Sequence, residues 1–303
     1  MTRSLASRVP APLLFVVGAA SMYVGAALAV GLFDRLSPAA VAVLRILAAG
    51  VLLLAVRRPG RAAWRRSRSR RSIPFGVATA VMNVAFYEAI ARLPLGTTVA
   101  LEFCGPIVVA AALSRRPRDV AAVLLAAGGV ALIADVRWSG SFSGVLWALA
   151  AAAMWAVYIV LGKRVATAGN GLDDMAVGFT VAGLLCAPLM FLRRVAGLAP
   201  LAEPRVLLLV VGVGLLSSVV PYGLDQVVLR RVGRARFAVL LALLPATATV
   251  IGVLVLGQLP GVAEAAGIAA VVAAVAVRSR DGDAPVGPPG RPNPATDRDE
   301  RRE

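Results

Sequence analysis

The stretch LGTTVALEFCGP, residues 95–106, puts a glutamate and then a proline into an apolar run that extends from Leu95 to Leu113. The meaning of Glu102 and Pro106 depends on the solvent around that run. The rest of the chain identifies it.

Of 303 residues, 59% are apolar, and the mean hydropathy is +0.82. Soluble domains sit near about 45–50% apolar. Aromatics are only 6%, so the excess is Ala, Val, Leu and Gly, the small-residue vocabulary of packed membrane helices. Charge is sparse within the runs and dense between them. The composition is that of a polytopic membrane protein.

A net charge of +16 raises the question of nucleic acid, because basic faces bind phosphates. Here the arginines lie between and after apolar runs, where cytoplasmic loops collect them, and a nucleic-acid partner is excluded. Cys104 and Cys186 both sit inside apolar runs and read as small hydrophobes, not a disulfide framework. With no histidine and no cysteine cluster, a transition-metal site is not expected, and neither is a cofactor. The first run, from Pro12 to Phe33, is too long for a signal-peptide core and reads as a retained span. The segment from Arg278 onward is rich in Pro, Gly and charge, the composition of a disordered tail.

A spanning helix needs about 20 mostly apolar residues. Cutting at charges and turn signals predicts ten spans, at 12–33, 38–56, 73–92, 95–114, 118–137, 142–162, 173–192, 206–229, 235–257 and 260–277. Solid runs, not alternating ones, exclude a barrel. With the N-terminus inside, 25 of the 32 basic residues fall on the inner side and six on the outer; Arg45 is intramembrane. That bias puts both termini in the cytoplasm. The loop after span seven, with Arg193, Arg194 and Arg205, dissents.

CGPIVVA (104–110) and LLPATAT (243–249) lie 139 residues apart, and at the same offset AAGGVALIA (126–134) falls on AAGIAAVVA (265–273). One ungapped register with two landmarks predicts that spans one to five recur as six to ten. Five spans is an odd number, so the second set must be inverted. The expected fold class is therefore an all-α membrane protein of ten transmembrane helices in two inverted five-helix repeats. Residues 1–139 form the first, 140–278 the second and 279–303 a cytoplasmic tail. Inverted repeats are a common plan for secondary transporters, with the site near the midplane between the halves.

Each intramembrane charge costs at least about 2.5–3.5 kcal/mol on insertion scales and calls for a reason. Four stand out: Arg45, Glu88, Glu102 and Asp225. Arg45 and Glu102 each lie some seven residues from the outer end of a span, about 10 Å deep at 1.5 Å per residue. Matched depth and opposite sign predict an ion pair. It is either structural glue, or a device in which Glu102 faces a cavity and binds a proton or cationic group. Pro106 cannot donate to the carbonyl of Glu102, and in the repeat register Pro245 frees that of Leu241. Bare carbonyls are tolerable only beside protein or water. The pair reads as packing kinks or as a polar patch at mid-membrane. Glu88 and Asp225 fall near opposite mouths, reading either as snorkelling side chains or as gating or relay groups. Asn83 and Tyr87 share a face at i,i+4, Trp155 and Tyr158 at i,i+3, and Tyr222 and Asp225 likewise. These complete the candidate lining, although any single aromatic reads first as an interfacial anchor or packing group. No P-loop and no nucleophile–base order is present, so no enzymatic activity is expected.

YEAIARLPLGTTVALEFCGPIVVAAALSRRPRD (87–119), GVLWALAAAAMWAVYIVLGKRVA (144–166) and SSVVPYGLDQVVLRRV (217–232) resemble spans three to six and eight of the drug/metabolite transporter superfamily. Within it they are similar to EamA-domain members of the threonine/homoserine exporter-like group. The resemblance implies an inner-membrane efflux protein for amino acids or related small metabolites, driven by the proton gradient, monomeric or homodimeric, with membrane lipids as its surroundings. It places Glu102 with Pro106, Trp155 with Tyr158, and Tyr222 with Asp225 near the path. The chain departs from the pattern at Leu244 and Gln258, where glutamate is common, and at Met22 and Tyr23 of the first span. A broad-specificity permease or a non-selective scaffold without proton coupling is the alternative.

Overall fold

A computed structural model of the chain describes residues 9–67, 72–112, 117–165, 171–191 and 199–279. The N-terminal residues, the tail beyond 279 and the arginines at 115, 116, 193 and 194 lie outside the described residues, so the expected disordered tail is not among them.

All regular structure among the described residues is helical. The order is α1 (Ala11–Val30), α2 (Pro38–Arg57), α3 (Arg61–Ser67), α4 (Ser72–Ile90), α5 (Leu95–Glu102), α6 (Cys104–Ala112), α7 (Pro117–Val165) and α8 (Gly171–Cys186). Then come α9 (Pro204–Gly214), α10 (Val220–Leu241), α11 (Leu243–Leu256) and α12 (Val262–Ser279), with a π-turn over Leu215–Val219 between α9 and α10. Local chemistry sets several boundaries. α2 starts where the Ser37 hydroxyl accepts the N–H of Ala40 ahead of Pro38, a side-chain cap followed by a residue that needs no donor. α11 stops at Gly257, whose φ of 65° is the left-handed conformation that ends helices, and the N–H groups of Gly257 and Gln258 close back onto Val253 and Gly252.

Among the described residues, four segments are long and apolar enough to cross a membrane unaided: 11–30, 38–57, 141–161 and 204–225. The others expected from the sequence are shorter apolar helices at 77–90, 95–109, 120–133, 176–186, 243–256 and 262–277. Large apolar side chains such as Leu208 and Leu254 are 71% and 75% exposed, while Ala29, Ala42, Ala80, Ala100 and Ala151 are fully buried. Apolar outside with small residues at the contacts is the inverse of a soluble protein's distribution and fits lipid. The chain is a multi-pass membrane protein.

Two expected boundaries differ. Spans five and six run together as α7, interrupted only at Ser141, where the backbone is extended. The loop expected at Arg230–Arg236 is instead the continuation of α10. Arginine is a good helix former, so a charge run can end a span without ending a helix.

The breaks inside spans four and nine fall at Phe103 and Ala242, 139 residues apart and each three residues before a proline. Pro106 and Pro245 thus sit in the first turn of α6 and α11, where a missing N–H costs nothing. The packing follows the same register. α1 packs on α11, and the 141–165 stretch of α7 packs on α6; α2 meets α9 where α8 meets α4. Two contacts join a segment to its own counterpart: α2 with α8, and the first stretch of α7 with α12. At the last crossing a methyl group built on Gly129 would lie 2.7 Å from the Gly267 carbonyl oxygen, and one on Gly267 equally close to that of Gly129.

Candidate functional site

The break at Phe103 makes Glu102 the last residue of α5. Here α6 is pressed against α7 so tightly that a Cβ on Gly105 would stand 2.0 Å from the Ala152 carbonyl oxygen. That approach brings Trp155 edge-on to Phe103, with ring centroids 4.9 Å apart. Tyr158 is one turn further on.

From the opposite side comes α10, entered through the π-turn, a local widening often found at functional sites. The turn has a specific cause. The N–H of Val220 goes to Leu215, and the next donor in a π-pattern, at Pro221, does not exist. The carbonyl of Leu216 is left without a helical partner, and Ser21 of α1 donates its hydroxyl to it at 2.8 Å. Immediately beyond stand Tyr222 and Asp225. The Tyr222 ring lies 5.4 Å from that of Phe179 on α8.

Arg45 of α2 is 8% exposed. It donates through Nη2 to Asn83 Oδ1, and its guanidinium carbon sits 5.2 Å over the Tyr87 ring. Asn83 is oriented by its own amide, which donates to the Thr79 carbonyl at 2.7 Å and leaves the oxygen free to accept. The i,i+4 face of Asn83 and Tyr87 is therefore real, and it holds Arg45. The ion pair expected between Arg45 and Glu102 does not form. Glu102 and Asp225 have no hydrogen bond or ion pair among the described residues.

Packing brings together the elements that carry these groups: α1, with Tyr23, lies on α10, with Tyr222 and Asp225; α2, with Arg45, meets the π-turn that leads into α10; and α5, with Glu102, lies on α7, with Trp155 and Tyr158. Tyr23 is 3% exposed; in the sequence it registers only as a departure from a pattern.

Glu88 lies on α4 and is engaged by its own helix. It is buried, at 3% exposed, and its carboxylate pairs with Arg92 one turn later at 2.7 Å. Burial also overturns the snorkelling account. Pro106 and Pro245 serve the site indirectly, by placing the two helix breaks.

A second buried carboxylate, Glu264 on α12, is 1% exposed and accepts from the Thr97 hydroxyl of α5. Close by, Gln258 accepts the Leu95 N–H at 2.9 Å. These bonds fasten the α11–α12 connection to the start of α5. Glu264 carries one signal in the sequence, its position within the last apolar run.

Residues 142–280 match the EamA-like transporter family. The threonine/homoserine exporter RhtA of Escherichia coli strain K12 is 34% identical over 264 residues, covering 86% of this chain and 88% of that protein. The RhtA of Salmonella typhimurium strain SL1344 is 34% identical over 249 residues, covering 81% and 83%. A protein of known crystal structure superposes with a TM-score of 0.60 at 21% identity, over 88% of this chain and 96% of its own, and shares the fold. Similarity to such relatives over more than four-fifths of both chains, on an all-helical frame, makes this chain a member of the EamA-like transporter family.

Proposed function

We propose that the protein is a secondary-active inner-membrane exporter of small metabolites of the amino-acid class, working by proton antiport. Its two halves, residues 1–139 and 140–278, form inverted five-helix repeats with both termini in the cytoplasm. They rock about the site between them to give alternating access. The observation that carries the reading is that three ionisable side chains within the spans, Arg45, Glu102 and Asp225, make no ion pair among the described residues. Charges left unpaired at this depth are costly and mark substrate or ion pathways. The paired packing of α2 with α8 and of the first stretch of α7 with α12 supports the repeat. The relatives' activity supports the substrate class.

In this cycle Glu102 takes up a proton on one side and releases it on the other. Protonation removes the charge that attracts a substrate ammonium, so proton and substrate alternate. The test is uptake of labelled L-threonine and L-homoserine into proteoliposomes with and without a pH gradient. An acidic lumen should accelerate uptake, and a protonophore should abolish the acceleration. Uptake indifferent to the gradient would favour an uncoupled permease. No uptake of any amino acid would favour a scaffold.

A further inference from the structure

Eight arginines fall between Arg57 and Arg71, and no Asp or Glu occurs from Leu36 to Tyr87. The described part of this run is the end of α2, the turn at 58–60 and α3. α2 is 20 residues long, about 30 Å at 1.5 Å per residue, which matches the hydrocarbon core of a bilayer. The turn that follows therefore stands at the headgroup layer. Arg58 makes that turn in the left-handed conformation, at φ 48° and ψ 58°, while its N–H closes onto the Leu54 carbonyl at 3.0 Å. It is the one non-glycine residue with positive φ among the described residues. Gly or Asn is the usual occupant of that position, so backbone preference does not account for the arginine.

α3 then packs against α8 and α4. Its Ala63 is buried, Arg61 and Arg65 are exposed one turn apart, and Trp64 beside them is half-buried. Two residues of helix turn through about 200°, so seating Ala63 on protein aims Arg61 and Arg65 away from it. A small residue on the protein, an aromatic ring at headgroup level and cations facing outward describe a helix lying in a membrane interface.

The charges there are not balanced by the chain. Arg57 donates through Nε to Asp173 Oδ1 of α8 at 2.9 Å, but Arg58, Arg61 and Arg65 make no ion pair among the described residues. At the other end of α2, Arg35 is matched by both carboxylate oxygens of Glu203. One end of the span is thus neutralised from within, and the other presents three exposed cations at the depth where lipid phosphates lie.

We propose that Arg58, Arg61 and Arg65 form a docking face for the phosphate groups of anionic phospholipids, with Trp64 seated among the headgroups. A guanidinium fork meets two phosphate oxygens at once, and an anionic lipid, unlike a zwitterionic one, brings no cation to oppose the cluster. A lipid held there braces α3 against α8 and stabilises the folded chain by mass action.

Thermal unfolding of the full chain in non-ionic detergent micelles doped with phosphatidylglycerol or phosphatidylcholine tests this. Half-maximal stabilisation should need at least about tenfold less phosphatidylglycerol, since each basic residue at an anionic surface contributes about fivefold in affinity. Raising the salt to about 0.5 M should shrink the preference. In R58Q/R61Q/R65Q it should fall to within about twofold, whereas R205Q, which removes an exposed arginine at the Arg35 end, should keep it. If the triple variant does not elute as a folded, monodisperse species, R61Q and R65Q taken singly decide, each weakening the preference by about twofold or more. A preference that survives in the triple variant or in both single ones, or that is absent from the unsubstituted protein, overturns the proposal. Equal stabilisation by soluble glycerol phosphate in lipid-free detergent overturns it too, by revealing a phosphate site in place of a lipid surface. Amino-acid uptake enters none of these readouts, so the exporter reading stands or falls separately.

Discussion

Gly129 and Gly267 face each other so closely that a methyl group on either would lie 2.7 Å from the other's carbonyl oxygen. They lie on the first stretch of α7 and on α12, segments related by the 139-residue register. The crossing has no room for any side chain. Gly129→Ala or Gly267→Ala should force the helices apart at a cost of about 1–3 kcal/mol, the usual range for overpacking. Thermal unfolding of the purified protein in detergent checks this. The double variant should cost less than the sum of the two, because one separation relieves both clashes.

Glu102 has no ion-pair partner to lose. Glu102→Gln should therefore change stability by less than about 1 kcal/mol while lowering proton-driven uptake by about a hundredfold or more, as for loss of a proton-transfer group. A protein that fails to accumulate, or that transports normally, would contradict this.

Ser21 supplies the hydrogen bond that Pro221 cannot make to the Leu216 carbonyl. Removing the hydroxyl in Ser21→Ala leaves a part-buried acceptor unpaired, at about 1 kcal/mol. Because the π-turn sets the rotation of Tyr222 and Asp225, uptake should fall as well. Unfolding and uptake measured on the same preparation report both effects.

Thr97→Val should destabilise by about 1.5–3 kcal/mol through loss of a hydrogen bond to the buried Glu264 carboxylate, whereas Thr97→Ser, which keeps the donor, should retain most of the stability. Equal melting temperatures for the two variants would show that the hydroxyl is not what fastens α5 to α12.

Arg35 and Glu203 form an ion pair at 2.6 Å, but their side chains are 53% and 54% exposed. Solvent screening leaves such a pair worth no more than about 1 kcal/mol. Glu203→Gln should shift the midpoint of unfolding slightly at low salt and not at all at high salt, where exposed charges are screened.

The sequence by itself determined the medium, most of the stretches that run as helix and the breaks ahead of the two prolines. Apolar runs require lipid, and a proline removes a donor whatever its surroundings, so the turns at Phe103 and Ala242 follow from Pro106 and Pro245. The register linking them was legible because close helix packing repeatedly demands Gly and Ala. Arg45 and Glu102 could also be recognised as exceptional, because a charge in lipid needs a reason. Only the tertiary structure decided which of these groups meet. Hydropathy gives the depth of a residue along its helix and says little about its direction around the axis. Arg45 and Glu102 were matched in depth, yet Asn83, locked to Thr79, takes the guanidinium. Tyr23 is buried because α1 packs against the π-turn and α10, and Glu264 is buried because α12 lies on α5. Those rotations are set by contacts between residues far apart in the chain, such as Gly105 against Ala152, whose fit is a matter of shape that neither residue expresses alone.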